Sequence, residues 1–270
     1  MKKEKNKIMG KFFSVDVIPD CINGDVSDNP GSSDIDAGDI IFDWTAVDVP
    51  RGSCMLRSIT ATANGEDGAL TQSAVDIELL FAKSINGVAP PSIGTIGAAP
   101  SSNGTTNWTR HLVGGSRLEG VAGKGTLGKV DRVVYPGPGG GADSNLGVNT
   151  VIDLGPDDGT NAGYDRLYVA GIQAAARHYG TGVLVNGAIT SDTATSITVD
   201  GTDVRKVFCV GDTVYIQGVD TALGTIKSMT HDGTDGTIVL NAAIAGGTDL
   251  TNNHELLNAN PWRFKLGFEK

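Results

Sequence analysis

Residues 207–229 read VFCVGDTVYIQGVDTALGTIKSM, and this stretch decides the fold. Its short apolar runs are separated by glycine and aspartate, and they lack the three- and four-residue spacing of a helix. Val210, Val214 and Ile216 are spaced to fill the core of a small sheet, and the Gly-Asp pair at 211–212 predicts a tight entry turn. The stretch therefore predicts the first hairpin of a small barrel, with an architectural role.

The surrounding region, 188–257, contains five runs of this kind joined by turns rich in Gly, Asp and Asn: SITVDG, VFCVGDTVYIQG, LGTIKSM, TIVLNAAI and ELLN. Five short strands in about seventy residues match the size of a small SH3-like or OB-like barrel. We therefore predict a small β-barrel domain at 188–257.

The chain closes with PWRFKLGFEK, in which large apolar residues alternate with other residues. One face of the predicted strand carries Trp262, Phe264, Leu266 and Phe268. A strand with such an apolar face must join a sheet that buries this face. The predicted neighbour of the last strand in that sheet is TGVLVNG at 181–187. The barrel is then an insertion before the last strand of a jelly-roll-like β-sandwich formed by 14–187 plus 258–270, preceded by a basic arm at 1–13.

Two earlier segments also show the two-residue period of strands. In CMLRSITATA, at 54–63, strict alternation predicts Ile59 on the face opposite to Leu56. VDIELLFAKS predicts a strand with one apolar face, made of Val75, Ile77, Leu79 and Phe81. The predicted fold class is therefore all-β.

Charge and composition limit the classes of partner. The 270-residue chain has a formal net charge of -10, which argues against general nucleic-acid binding because phosphate backbones need clustered Lys and Arg. The first eleven residues, MKKEKNKIMGK, are nevertheless basic. They form either a solvated terminus or an arm across an acidic neighbouring subunit.

The cysteines Cys21, Cys54 and Cys209 are far apart and form no CxxC pair. Their odd number and spacing predict small buried residues in a reducing compartment, with neither a disulfide framework nor a zinc site. No apolar segment follows the basic terminus, and no run approaches the roughly 20 apolar residues of a membrane span. We expect a soluble chain made in a cytoplasm.

The stretch GKGTLGKV at 123–130 partly resembles a phosphate-binding loop. Such a loop needs Ser or Thr after its lysine, to reach magnesium, and here Val130 follows Lys129. It also needs a helix whose N-terminus faces the phosphates, and VDRVVYPGPGGG cannot form one. The stretch is interpreted as a glycine-rich loop, and no cofactor is expected.

No catalytic or metal-binding set is predicted. The four histidines share no metal-ligand spacing: His111, His178, His231 and His254. For His178, a contact with another subunit is an alternative role. The aspartate-rich turns lack the EF-hand pattern and suit hairpins; they lie at 157–159, 200–203 and 232–235. Ser53 lacks the flanking glycines that a nucleophilic serine has in the GxSxG motif. Asp157 and Asp158 have no neighbours that would give one of them a higher pKa than the other, as a general acid and base pair requires.

Four segments together resemble virion structural proteins of tailed bacteriophages, particularly phages of aquatic bacteria: FDWTAVDVPRGSCMLRSITATANGEDG, VDIELLFAKSINGVAP, AGYDRLYVAGIQAAARHYGTGVLVNG and PWRFKLGFEK. The resemblance implies a non-enzymatic capsid decoration or auxiliary protein, located in the virion and assembled in the host bacterial cytoplasm. The implied partners are copies of itself and other virion proteins such as the major capsid protein, without nucleic acid or membrane. It brings no functional residues with it.

Two alternatives remain. The first alternative is a tail, baseplate or fibre-associated component. The second is a carbohydrate-binding module for host recognition. Carbohydrate binding requires exposed aromatic side chains, and Trp108 in NGTTNWTRH is the candidate to test. The long loops at 86–110 and 135–148 are expected to serve as arms that cross a neighbouring subunit.

Overall fold

The computed structural model describes residues 11–22, 34–50, 52–64, 76–101, 107–118, 133–136, 150–152, 164–175, 177–178, 180–191, 193–201, 203–217, 219–244 and 249–270. Within these ranges the chain forms β-strands and two 3-10 helices, Trp108–His111 and Val204–Lys206, and no α-helix. The predicted all-β fold is confirmed.

The strands of the described residues are numbered in chain order. The first nine are β1 (Phe12–Val17), β2 (Asp34–Ile35), β3 (Ile40–Pro50), β4 (Cys54–Ala63), β5 (Ile77–Lys83), β6 (Leu112–Leu118), β7 (Val133–Pro136), β8 (Thr150–Ile152) and β9 (Tyr164–Gln173). The others are β10 (Arg177–His178), β11 (Val183–Leu184), β12 (Ser196–Val199), β13 (Thr213–Ile216), β14 (Val219–His231), β15 (Gly236–Leu240), β16 (Glu255–Asn258) and β17 (Trp262–Glu269).

Two antiparallel sheets form the predicted β-sandwich. One has the order β1-β17-β4-β7, with β8 also paired to β4, and the other has the order β3-β9-β5-β6. A single apolar core cluster takes side chains from both sheets. Across it, the rings of Phe42 in β3 and Phe264 in β17 lie 5.6 Å apart between centroids. The short strands β2 and β10 pair with each other separately.

Strand β17 lies inside its sheet, between β1 and β4. Its alternating pattern is confirmed, because the four predicted apolar side chains are all buried: Trp262, Phe264, Leu266 and Phe268. The rings of Trp262 and Phe264 stack with centroids 5.7 Å apart. The last strand therefore supplies much of the aromatic volume of the sandwich core.

The predicted neighbour of β17 is wrong. The segment TGVLVNG contributes β11, which pairs with β16 in the barrel sheet, and β17 pairs instead with β1 and β4. Strand β1 begins at Phe12, so the predicted basic arm at 1–13 overlaps the sandwich, while residues 1–10 lie outside the described residues. The partner of the last strand is the first strand, which is far away in sequence and close in the sheet. Separate folding of the two parts stays a prediction.

Strand β4 departs from strict alternation. Leu56 and Ile59 are both buried, so the prediction that they lie on opposite faces is wrong. The pairing with β17 shifts where Ser58 faces Gly267 and Leu56 faces Phe268. One extra residue at this shift lets the two apolar side chains point to the same core, as a β-bulge does.

The inward face of β5 is as predicted for Ile77, Leu79 and Phe81, which are all fully buried. Val75 lies outside the described residues. Regular alternation is kept here over the pairing with β9, which shows no shift in register.

The six-stranded sheet has the order β11-β16-β13-β14-β15-β12 and encloses its own apolar core. Its edges meet where Val185 bridges Val199 and where the N–H of Asn186 donates to the carbonyl of Thr198 at 2.8 Å. This nearly closed sheet contains the five predicted strands, but it has a sixth, β11, which lies before the predicted start of the barrel at residue 188. Val214 and Ile216 lie in its core as predicted, whereas Val210 is 61% exposed, which corrects that prediction.

Within the long loop 86–110, the segment 86–101 lies on its own sandwich. Ile93 and Ile96 are buried and pack with Ile40 of β3 and Ala170 of β9. Ile93 and Ile96 are thus used within the chain, whereas Val88 of the same segment is 65% exposed, and the prediction that the loop crosses a neighbouring subunit stays a prediction. The second predicted arm, 135–148, lies almost entirely outside the described residues.

Gly171 of β9 gives a first testable prediction. It is paired with Phe42, and a Cβ added there would lie 2.3 Å from the Phe42 ring. Because Phe42 is fully buried, the ring cannot move without disturbing the core, and we expect Gly171→Ala to lower the free energy of unfolding by about 1–3 kcal/mol. Urea unfolding measures the loss. Gly115→Ala in the edge strand β6 is the control with a smaller expected loss, and equal losses would contradict the steric explanation.

Candidate functional site

Buried polar residues are concentrated at one place, where the barrel meets the sandwich. Of the five polar residues that are buried within the described ranges, three lie here: Asn64, Asp212 and Asn258. Asn64 follows β4 of the sandwich, whereas Asp212 precedes β13 and Asn258 ends β16 in the barrel. We call this group, together with Arg263 of β17, the polar junction.

The Asp212 carboxylate is the centre of the polar junction. Its Oδ2 accepts hydrogen bonds from the backbone N–H of Cys209 at 2.7 Å, from Asn258 Nδ2 at 3.0 Å and from Asn64 Nδ2 at 3.4 Å. Its Oδ1 accepts from the Arg263 guanidinium, which forms the ion pair with it. Both oxygens of a fully buried carboxylate are thus supplied with donors, as a buried charge requires.

The same two asparagines also hold the backbone of the barrel. The carbonyl of Val207 accepts from Asn258 Nδ2 at 2.7 Å and from Asn64 Nδ2 at 3.1 Å. The backbone N–H of Asn64 in turn donates to the carbonyl of Pro261 at 2.8 Å. Asn64 therefore connects the end of a sandwich strand to the barrel and to the chain that leaves it.

A second set of contacts lies beside the polar junction, around Asn260. Its Oδ1 accepts from the N–H of Thr213 at 2.9 Å, and its Nδ2 donates to the carbonyl of Pro19 at 2.8 Å. The N–H of Cys21 donates to the carbonyl of Ala259 at 2.7 Å. The segment after β1 is thus fastened along the barrel.

A small apolar cluster continues this second set of contacts. It contains Ile22 from the segment after β1, together with Tyr215, Leu257 and Ala259 from the barrel and its exit. Burial raises the pKa of the Tyr215 phenol, and the nearby Asp20 acts in the same direction. The phenol is therefore neutral near neutral pH, and its ring serves as packing material between the two parts.

The electrostatics of the polar junction are dominated by burial. Removal from water raises the pKa of Asp212, and Arg263, the Cys209 N–H and Asn258 oppose that rise. All four contacts donate to the carboxylate, so the geometry suits its charged form. Since the carboxylate is fully buried, the arrangement fixes the orientation of barrel and sandwich and leaves no room for a substrate at its oxygens.

The structure keeps the described histidines apart. His111 Nδ1 lies 2.9 Å from the carbonyl of Lys83 beside the four-stranded sheet, and His254 Nδ1 accepts from the N–H of Thr251 at 3.3 Å in the barrel. His231 lies in β14 and His178 in the short strand β10. Among the described residues no three His, Cys, Asp or Glu side chains are grouped as a metal site.

The aspartate-rich turns have local structural roles where the structure describes them. Asp232 Oδ1 accepts from the N–H groups of Thr234 and Asp235, both at 2.8 Å, and these bonds lower the pKa of Asp232. Asp203 caps the second 3-10 helix, and its bond to Arg205 lowers the pKa of Asp203. The turn at 157–159, with Asp157 and Asp158, lies outside the described residues, as does the glycine-rich loop 123–130.

Ser53 and Cys54 line an open pocket of about 360 Å³ together with Arg57, Glu269 and Lys270. Arg57 and Glu269 form an ion pair across it at 2.6 Å. Burial raises the pKa of the Cys54 thiol, and Lys270 only partly offsets this. The thiol is therefore protonated at neutral pH and is a poor nucleophile.

None of the three cysteines forms a disulfide. Cys21 and Cys54 are buried as predicted, and Cys209 is half-buried beside the polar junction. The Cys209 Sγ lies 4.0 Å from Asn64 Oδ1. The prediction of small buried residues is therefore confirmed for Cys21 and Cys54 and not for Cys209.

The aromatic candidate for carbohydrate binding is held by its own chain. The Trp108 indole N–H donates to the carbonyl of Ser101 at 3.2 Å, and its ring packs against the apolar cluster under the loop 86–101. Trp44 is held in the same way, with its N–H donating to the carbonyl of Pro91 at 2.8 Å. Both side chains are half-buried.

No protein-family model, no curated protein and no solved structure matches this chain. None of the helices in the described ranges has the length and apolarity needed to cross a bilayer.

Proposed function

We propose that this chain is a non-enzymatic structural protein of a tailed-bacteriophage virion, and within that class a capsid decoration or auxiliary protein. The single observation that supports the proposal best is the polar junction. It uses a fully buried aspartate, paired with the partly exposed Arg263, and two buried asparagines to hold two β-domains in one orientation. A protein that positions one surface relative to another needs such a junction, whereas a catalyst needs its charged groups in reach of a substrate.

The placement of the other reactive groups supports the same class. Asp203 and Asp232 cap local turns, the Cys54 thiol is kept protonated by burial, and the indole N–H groups of Trp44 and Trp108 donate to backbone carbonyls. The resemblance of the sequence to virion structural proteins supplies the more specific assignment. In this proposal the partners are copies of the chain and other virion proteins, including the major capsid protein, without nucleic acid or membrane, and the location is the particle assembled in the host bacterial cytoplasm.

The proposal is tested by finding and counting the chain in purified particles. Quantitative mass spectrometry gives its copy number relative to the major capsid protein. A head decoration protein is expected in the hundreds, on the order of one per capsomer or per capsid subunit, whereas a tail or baseplate protein is expected in about six copies or a small multiple of six. Absence of the chain from intact particles would contradict the proposal.

A further inference from the structure

The first strand has an open edge with a defined set of backbone groups. Lys11 and Lys270 exchange two backbone hydrogen bonds, at 3.2 and 3.0 Å. In an antiparallel pair every second residue bonds to the partner strand, so from Lys11 onward the odd-numbered residues bond to β17. Phe13, Val15 and Val17 therefore direct their N–H and C=O groups toward β17. The residues between them, Phe12, Ser14 and Asp16, and Ile18 beyond them, direct theirs away from the sheet. No other strand among the described residues pairs with this edge.

The edge of β1 also lacks the features that protect other edges in this chain. The edge strand β3 of the facing sheet has two register shifts, which bend an edge away from a partner. The two edges of the barrel are bridged to each other. Strand β1, in contrast, pairs with β17 over six residues without a shift, so its open side is straight and regular.

Exposed apolar side chains lie at both ends of this edge. Phe12 is 74% exposed and Ile18 is 45% exposed, and they are two of the four large hydrophobic residues exposed in the described ranges. They are six residues apart, so strand alternation places them on the same outer face of the sheet. Phe13, in contrast, turns inward and stacks on Phe268 with ring centroids 5.0 Å apart.

We infer that β1 pairs antiparallel with β1 of a second copy of this chain, about a twofold axis at Val15. In this register each Phe12 lies opposite Ile18 of the partner subunit, and each Ser14 lies opposite Asp16 of the partner subunit. All four outward residues then form hydrogen-bonded pairs, which gives about eight backbone hydrogen bonds. The two sandwiches join into one continuous sheet across the axis.

Neighbouring registers are less favourable. An axis at Ser14 places Asp16 opposite the apolar Phe12 and places Ile18 opposite Gly10, which lacks a side chain to pack against it and lies outside the described residues. An axis at Asp16 places the two Asp16 carboxylates opposite each other, and like charges directly opposite destabilise a strand pair. Only the axis at Val15 pairs apolar with apolar and polar with polar along the whole edge.

The surface beside Ile18 offers space for the incoming ring. An open pocket of about 380 Å³ is lined by Ile18, Asp16, Thr60, Thr62, Arg263 and Lys265. Since Phe12 of the partner subunit lies opposite Ile18, its ring reaches the rim of this pocket. The Phe12 ring, which is exposed in the single chain, is then partly buried against the other subunit.

This inference deepens the proposed function, because it names a second copy as one partner. It rests on strand geometry, so it stands or fails independently of the virion assignment. A dimer of the purified chain that is absent from particles would support the inference and contradict the proposed function. A monomeric chain found in particles would do the reverse.

The first experiment measures the dimer by sedimentation equilibrium of the purified full-length chain. Wild-type protein is expected to dimerise, and the variant Phe12→Lys with Ile18→Lys is expected to raise the dissociation constant at least about tenfold, because like charges face each other twice. The matched variant Phe12→Lys with Ile18→Glu is expected to recover most of the affinity. Both variants change exposed side chains, so circular dichroism should match the wild type. A wild-type chain that is monomeric at about 100 μM, or a dimer that both variants leave unchanged, overturns the inference.

The second experiment tests the register by cysteine cross-linking. In the proposed register Val15 faces Val15 of the partner subunit at a distance suited to a disulfide, so Val15→Cys should give a covalent dimer on mild oxidation. Ser14→Cys is the control, because Ser14 faces itself only if the axis lies at Ser14. Covalent dimer from Val15→Cys alone supports the register, and covalent dimer from Ser14→Cys alone, or from neither variant, overturns it.

Discussion

Removal of residues 261–270 is expected to leave no folded sandwich. These residues form β17, which pairs with β1 on one side and with β4 on the other, so their loss separates two strands and exposes a new edge on each. The deletion also removes four buried side chains from one core cluster: Trp262, Phe264, Leu266 and Phe268. Each large aromatic residue alone contributes about 3–5 kcal/mol, and a domain has only about 5–15 kcal/mol in total. The truncated chain should therefore be insoluble, as measured by soluble yield and limited proteolysis.

A single substitution gives the graded form of this test. Trp262→Ala is expected to lower the free energy of unfolding by about 3–5 kcal/mol in urea titrations, because the indole is fully buried and stacks on Phe264. Lys265→Ala in the same strand is the control. Its exposed ion pair with Asp16 should be worth at most about 1 kcal/mol. A truncated chain that stays folded, monomeric and resistant to protease would show that β17 is dispensable.

The two-residue alternation of apolar residues predicted which side chains are buried wherever a strand is regular. Alternation identified the inward residues of β17 and β5 because each of these strands keeps a period of two and buries one face. The same rule gave a wrong answer for Leu56 and Ile59, since a bulge in β4 inserts a residue that no composition signal marks. Alternation assigns faces well until a bulge reverses them.

Pairing across the chain was beyond the sequence pattern. The last strand needs an apolar partner, and both β1 and TGVLVNG could have satisfied that requirement by hydrophobicity. The choice between β1 and TGVLVNG is made by the barrel, which uses Val183 and Leu184 of TGVLVNG to pair with β16. That choice depends on contacts between residues distant in sequence, which periodicity does not contain.

The polar junction was missed for a related reason. Asp212 follows a glycine and looks like an ordinary turn residue, and such residues are usually in contact with water. Its asparagine and arginine partners lie 46 to 148 residues away in the sequence. The one available signal was the insertion itself, since a domain inserted before the last strand must be attached near that strand.

Asp212→Ala is expected to be the most damaging substitution in the polar junction. It leaves the guanidinium of Arg263, two asparagine side chains and the N–H of Cys209 without their acceptor in a buried place. Removal of one partner from a buried ion pair costs about 3–5 kcal/mol, and because the Arg263 side chain is 29% exposed to solvent, the loss should lie near the lower end of that range. We expect a loss of this size in urea unfolding.

The loss should also uncouple the two parts of the molecule. The polar junction connects barrel and sandwich through side chains, so a weakened junction is expected to resolve thermal unfolding into two transitions measured by calorimetry. Asp203→Ala is the matched control, because Asp203 caps a 3-10 helix and pairs with the exposed Arg205 within the barrel, and its loss should cost about 0.5–2 kcal/mol, less than that of Asp212. Equal losses for the two variants would contradict the special role of Asp212.

The pH dependence of Asp212 has a definite sign. Burial raises its pKa in the folded chain above the ordinary value of about 3.9, so between these two values the folded chain binds the proton and the unfolded chain does not. The contribution of Asp212 to stability is therefore fully present below the ordinary value and is lost as the pH rises through the raised pKa. Asp203 and Asp232 act oppositely, because their pKa values are lowered and their contributions are lost as the pH falls.

Asp212→Asn isolates this effect, since the amide does not titrate in the same range. The stability of the wild type minus that of the variant should decrease as the pH rises from 4 toward neutrality, as measured by urea unfolding of both proteins at each pH. Asp203 and Asp232 are present in both chains, so their contributions cancel in the difference. A difference that instead grows with pH would mean that Arg263 and the backbone donor outweigh burial, and that the ion pair stabilises the charged carboxylate beyond what water does.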